Sequence, residues 1–273
     1  MNRNAARRLS EAAPQQQAGG FAAHDFIAFG GHPRQLALVE HFDRAAVVRP
    51  TAPVARVARI GLQPDMTMAS GCLYTRKWVR PAQALYRAGA WHDCLFGIRS
   101  GFFKSTVALE DGREQVVGFH MAGDFLGMDG IDGGCHASDA IALEDSEIYI
   151  MPLASLDDPG VQREISRAMS RELVRDRNTM IVLGTMRASE RVAAFLLGLS
   201  QRLVARGFSS GELHLRMTRR DIGSYLGLSL ETVSRLLSRF QHDRLVYVNG
   251  KHIHIRDVDG LRASLDEAGH PHC

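Results

Sequence analysis

The stretch MTRRDIGSYLGLSLETVSRLLSRFQ, Met217 to Gln241, leaves few ways to fold. Thr218 is placed to cap a first helix whose apolar residues Ile222 and Leu226 fall four apart. Gly227 then closes that helix with the residue type that turns left-handed most cheaply. Ser229 opens a second helix, on which Val233, Leu236, Leu237 and Phe240 share one stripe while Glu231, Ser234, Arg235 and Ser238 point the other way. The pattern predicts two short helices folded over a tight turn, with a polar outward face. An ordinary helical hairpin with a solvated face fits this pattern, and so does a reader of base edges. Arg forks onto guanine, a carboxylate accepts from the cytosine amino group, and small hydroxyls bond either. Glu231, Ser234 and Arg235 supply one of each near the N-terminal half of the helix, where a recognition helix meets bases.

The following residues favour the second reading. Leu245-Val-Tyr-Val248 and Lys251-His-Ile-His-Ile255 flank Asn249-Gly250, a strong hairpin signal, and a type I′ turn there requires positive φ at both positions. The helix pair therefore carries a β-wing. Between 188 and 256 there are eleven Lys/Arg against five Asp/Glu, although the whole chain carries only +3. This local excess of positive charge predicts a polyanionic partner, double-stranded DNA.

At 273 residues and 45% hydrophobic composition, the chain is long enough for two cores. No apolar run approaches the ~18 residues of a membrane helix, and the Arg-bearing start lacks the apolar core of a signal peptide, so a cytoplasmic protein without a membrane partner is expected. Residues 1–69 read as an extension, partly disordered, with a helix over Pro33 to Phe42 as its one periodic candidate. Short apolar runs separated by Gly-bearing turns follow: Leu95–Arg99, Phe102–Leu109, Gln115–His120, Asp139–Leu143 and Glu147–Met151. They predict an antiparallel jelly roll over 70–156, holding either a ligand or a packed core.

Residues 159 to 187 predict one long helix within a 157–187 segment, its apolar positions recurring at three, four or seven. Val161, Ile165, Met169, Leu173, Met180 and Leu183 form a seam too narrow for a domain of its own, so a partner helix in a homodimer is expected to cover it. Asp176 falls on or beside this seam. It either weakens the pairing into a switchable state or sits at the solvent edge. A DNA-binding domain over 188–262 and a tail over 263–273 complete an α+β chain.

Jelly roll, long helix and winged helix-turn-helix, in that order, resemble the Crp/Fnr family of bacterial transcription regulators, most closely the Fnr branch. The resemblance rests on IRSGFFKSTVALEDGREQVVGFHMAGDFLG at 98–127, SERVAAFLLGLSQRL at 189–203, RGFSSGELHLRMTRRDIGSYLGLSLETVSRLLSRFQ at 206–241 and the wing around NGKHIHI. It implies a cyclic-nucleotide-binding-like barrel and base reading by Glu231, Ser234 and Arg235. It also implies a palindrome of the TTGAT-N4-ATCAA type, controlling genes of low-oxygen or nitrogen-oxide respiration. Thr218, Arg219, Ser229, Thr232, Arg239 and Lys251 complete the expected DNA contacts. RNA polymerase is the implied further partner, through Ser100 and the loop bearing Gly112 and Arg113, where Arg113 reverses the charge the family carries.

Departures from the family bear on cofactors. The Fnr iron–sulfur cluster needs three closely spaced N-terminal cysteines and one in the last barrel strand. Here the barrel position is Tyr149, and Cys72, Cys94, Cys135 and Cys273 show no C-x2-C pairing. Cyclic AMP is disfavoured because the expected cradle, Gly123 to Met128 and His136 to Asp139, offers no Arg and carries Asp139, which would repel a phosphate. No cofactor is the leading expectation, as in FixK-like members. Haem on His92, His120, His136, Cys94 or Cys135, and thiol oxidation at Cys94, stay open as alternatives. An enzyme of the cupin kind is the rival class, but its His-x-His with a following Glu is missing from 72–152. The one His-x-His, His252 and His254, falls on the wing.

Overall fold

A computed structural model describes residues 74–265. The Pro33–Phe42 helix, Cys72, Cys273 and the remainder of the two ends lie outside the described residues. Eight strands form the barrel: β1 (Thr75–Val79), β2 (Ala84–Tyr86), β3 (Cys94–Ser100), β4 (Phe102–Ala108), β5 (Glu114–Met121), β6 (Phe125–Leu126), β7 (Asp139–Ala142) and β8 (Ser146–Pro152). They pair into two four-stranded antiparallel sheets, ordered β1-β8-β3-β6 and β2-β7-β4-β5. Phe103, Ala140, Ala142 and Ile148 fill the space between the sheets with Val79, Phe96 and Ile98. The five expected strands are all present. β1, β2 and β6 escaped the sequence reading because β1 exposes four of its five residues and the others are two or three residues long.

The long helix α1 runs Pro159–Thr185, two residues shorter than expected. Asp158 caps it, accepting from Gly160 N and Val161 N. Met186 and Arg187 break the chain direction before α2 (Ala188–Val204). Val161 and Ile165 do not join the outer seam: both lie against Leu95, Phe125 and Met151 in the base of the barrel. Met169, Leu173 and Met180 remain exposed, at 44%, 60% and 71%. Among the described residues no helix is long and apolar enough to cross a membrane.

The C-terminal part contains β9 (Glu212–His214), α3 (Arg219–Leu226), α4 (Leu230–His242), β10 (Val246–Asn249), β11 (His252–Ile255) and α5 (Val258–Ala263). Its core is continuous with one outer face of the barrel. Phe102, Val116, Phe119 and Met121 join Leu196, Ile222, Leu226 and Leu237 in one buried cluster, and Phe119, Phe195 and Tyr225 meet edge-to-face within it.

One carboxylate ties these parts together. Asp124, which follows β5, bonds Arg202 (2.7 Å) and Arg206 (3.0 Å) on and just beyond α2, and reaches Arg175 (3.4 Å) on α1. Arg206 also donates to Ala122 O at 2.6 Å. Burial alone would raise the Asp124 carboxyl, but Arg202, Arg206 and Arg175 together hold it well below the usual carboxylate range. Its contribution to stability is therefore present above the unfolded carboxylate range and is lost as pH falls through that range and below. Asp124→Asn is expected to cost about 3 kcal/mol at neutral pH and to flatten the acid limb of the stability curve below about pH 4, checked by thermal melts from pH 3 to 7.

Candidate nucleic-acid interface

The helix-turn-helix is held by its caps. Thr218 accepts from Asp221 N while Asp221 accepts from Thr218 N at 2.8 Å, a reciprocal box at the start of α3. Gly227 adopts φ +64°, and a Cβ at Gly223 would lie 2.5 Å from Leu228 O, so only glycine lets the chain turn this closely. Ser229 caps α4, accepting from Thr232 N at 3.1 Å. Val233, Leu236, Leu237 and Phe240 are buried, as their spacing predicts.

Glu231 and Arg235 are exposed and Ser234 half-buried on the opposite face of α4. Arg219 donates to Ser234 Oγ at 3.3 Å, joining α3 to that face. The Glu231 carboxyl is lowered first by its own backbone N–H, then by the Ser229 hydroxyl, with Arg220 adding to this, so it is ionised as an acceptor. Thr218, Ser229, Arg239 and Lys251 are exposed, and Thr232 is half-buried beside its cap. Arg239 lies 3.6 Å from Asp243, one turn on.

The wing departs from the expected turn by one residue. Asn249 pairs with His252, so the two loop residues are Gly250 and Lys251, and only Gly250 has positive φ. Glycine leading a two-residue loop meets the demand of a II′-type turn, which lifts the requirement on Asn249 and places Lys251 at the tip. His252 and His254 share the outer face of the wing, where His214 of β9 lies against His252, their ring nitrogens 2.9–3.1 Å apart.

Several contacts that orient the helix pair were not read from the sequence. Lys104 on β4 bonds Asp221 at 2.6 Å, Ser224 Oγ accepts from Val116 N at 2.8 Å, and the Gln115 amide donates to Ser224 O. Arg191 donates to Leu183 O, Met186 O and Leu226 O, linking the end of α1 to the end of α3. Thr179 and Tyr225 share a hydroxyl bond of 2.8 Å. The Thr218 cap was legible, but the reciprocal bond from Asp221 was not read. The other partner of Asp221, Lys104, is 117 residues away and left no local signal.

The barrel's histidines separate into two groups. His136 stacks on Tyr86 with ring centroids 3.7 Å apart, and His92 meets His136 edge-on at 4.9 Å. His120 instead bonds Ser105 at 2.6 Å, and its Nδ1 faces Glu172 of α1 at 3.9 Å. The three candidate histidines therefore do not form one set. The Cys94 thiol is pushed up by burial and by Asp93, which makes it a weak nucleophile. Contrary to expectation, an Arg does reach the cradle: Arg87, the residue after β2, pairs with Asp139.

A family model described as a Crp-like helix-turn-helix domain matches residues 190–264, and one described as a cyclic nucleotide-binding domain matches 76–158. The fumarate and nitrate reduction regulatory protein of Salmonella typhimurium is 44% identical over 211 residues, 76% of this chain and 83% of that protein. The transcriptional regulatory protein btr of Bordetella pertussis is 42% identical over 69% of this chain and 80% of its own length. Among solved structures, FixK2 from Bradyrhizobium japonicum matches with a TM-score of 0.64 and 32% identity, over 70% of this chain and 96% of that one. A winged helix-turn-helix joined through a long helix to such a barrel defines a DNA-binding transcription regulator. This chain belongs to the Crp/Fnr family, whose members are regulators and not enzymes.

Burial drives the two groups facing one another between barrel and α1 apart. It lowers His120 to about 4 and raises Glu172 to about 7, against the pull of Arg175. The unfolded chain protonates His120 below 6.5 and the folded chain only near 4, so this group makes stability rise with pH across that window. Folded Glu172 holds its proton up to about 7 where the unfolded one loses it near 4.5, so this group makes stability fall with pH. The two slopes oppose each other. In Glu172→Gln only the histidine slope remains, and thermal melts are expected to show stability rising by about 1–3 kcal/mol from pH 4.5 to 6.5, where the parent protein stays nearly flat.

Proposed function

We propose that the chain acts as a cytoplasmic homodimer that reads a palindrome of the TTGAT-N4-ATCAA type and controls genes of low-oxygen or nitrogen-oxide respiration without an Fnr-type cluster. The observation that carries this reading is the Glu231–Ser234–Arg235 face, held on a capped helix beside a wing tipped by Lys251. The names of the Salmonella and Bordetella relatives support a regulatory role, and the former supports the respiratory assignment. Half-sites one helical turn apart require two copies of the chain. Met169, Leu173, Asp176, Met180 and Leu183 recur at alternating spacings of four and three, and Met169, Leu173, Asp176 and Met180 are exposed, as a coiled-coil seam awaiting its partner would be.

The residues present do not fit an Fnr-type cluster. The barrel position that the resemblance assigns to a thiolate holds Tyr149, 2% exposed, with Tyr74 edge-on at 4.5 Å, and the sequence has no cysteine before Cys72. RNA polymerase is the proposed protein partner through Ser100, Gly112 and Arg113. Asp111 accepts from Arg113 Nε at 2.7 Å, which tempers the charge reversal at this loop.

In a gel-shift or fluorescence-anisotropy titration at ~150 mM salt, the dimer is expected to bind this palindrome about 10³-fold or more tighter than scrambled DNA; equal affinities would sink the assignment. Arg235→Ala should cost about 1–3 kcal/mol at one base pair, whereas Arg219→Ala should weaken all sequences alike. Leu173→Glu with Met180→Glu should yield monomers by light scattering, at matched protein concentration, and a dimer that persists would remove the seam from the account.

A further inference from the structure

The turn at Met128–Gly130 presents Asp129 to the loop His136–Ser138, and one oxygen of that carboxylate collects three donors. Oδ2 accepts from Ala137 N (3.1 Å), Ser138 N (3.0 Å) and Ser138 Oγ (2.7 Å), while Oδ1 lies 3.5 Å from His136 Nδ1. Two successive backbone N–H groups and a hydroxyl converging on one point make a receptor for an oxyanion. The walls are firm. Ser138 and His136 are 7% and 4% exposed, Tyr86 stacks on His136, and Tyr86 Oη accepts from Gly127 N at 3.0 Å. The neighbouring cation is also engaged within the chain, since Arg87 pairs with Asp139, whose other oxygen accepts from Ala88 N at 2.7 Å. The matched model for this half of the chain is a cyclic nucleotide-binding domain, which makes a phosphate oxygen the external anion to compare.

We propose that Asp129 is a built-in anion that occupies an oxyanion nest formed by residues 136–138 at the surface of the barrel, and that removing this carboxylate opens a site for a small external oxyanion. Once the side chain is cut back, the exposed Ala137 N–H and the part-buried Ser138 N–H and hydroxyl still converge on one point, and a small anion that meets all three at once competes with water for them.

The test is chemical rescue. Asp129→Ala is melted in sodium formate, in inorganic phosphate and in cyclic AMP, each against sodium chloride of equal ionic strength. Formate or phosphate at roughly ten times its dissociation constant is expected to raise the variant's Tm by about 2–4 °C, with no rise in the parent protein, whose nest is already filled. Ser138→Ala in the same background, which removes the hydroxyl and leaves the two backbone donors, should diminish the rise. A variant no more sensitive to these anions than its parent would overturn the proposal, and so would a parent protein that itself gains stability from phosphate or cyclic AMP. If the variant is isolated only by refolding, yields with and without formate are compared, and equal yields overturn it. A second readout rests on the proposed DNA reading: palindrome affinity of Asp129→Ala should fall about 5-fold or more and return with formate. The thermal arm needs no DNA, so a failed palindrome and a failed nest are told apart.

Discussion

Asp124 is the charge on which the arrangement of parts depends. A carboxylate with 5% of its side chain exposed has to be neutralised where it stands, and its three partners come from the long helix, from α2 and from just beyond α2. The requirement fixes where α1 passes the barrel and where the link into the DNA-binding half begins. The arginines keep part of their stems and heads in water, at 23–31% exposure, which lowers the cost of gathering three cations around one anion. Arg191 then repeats the arrangement with carbonyls in place of a carboxylate, joining the ends of α1 and α3. Position passes from barrel to recognition helix through polar contacts of defined direction, while the apolar cluster beneath them supplies cohesion without direction.

Much of the DNA-binding half was legible in the sequence because its signals are local. A cap and its partner are three residues apart, a glycine closes the helix it follows, and an apolar stripe repeats every three or four. Glu231, Ser234 and Arg235 lie where that stripe leaves them. The wing showed the limit of such reasoning: Asn-Gly marked a hairpin correctly, but the loop took Gly250 and Lys251 because one positive φ satisfied the chain where two had been expected. Ile165 showed another limit. Helical spacing allots it to the seam, and only the nearby Leu95, Phe125 and Met151 claim it for the barrel.

What the sequence did not disclose is pairing across distance. Arg87 and Asp139 are 52 residues apart, and Asp129 meets Ser138, nine residues on, from the turn at Met128–Gly130, with no periodic signal to mark the pair. A carboxylate beside a phosphate-like cradle looks repulsive when read along the chain. In three dimensions each acid there already has its donors, and an apparent obstacle to ligand binding becomes part of the wall. His120 and Glu172 belong to the same class, since their opposed shifts arise from being buried face to face on separate elements.

The shared cluster of Phe102, Val116, Phe119 and Met121 with the helix-turn-helix core bears on how such proteins diverge. A family built from a sensing barrel and a DNA-reading module invites the idea that halves are exchanged between members like cassettes. Here a foreign barrel would have to bring apolar side chains of matching shape to the same outer face, a lysine opposite Asp221 and a strand edge that meets Ser224. The joint is as demanding as the interior of either half, so the halves are bound to change together, and new specificities should enter through the solvent-facing side of α4, where nothing in the barrel has to follow.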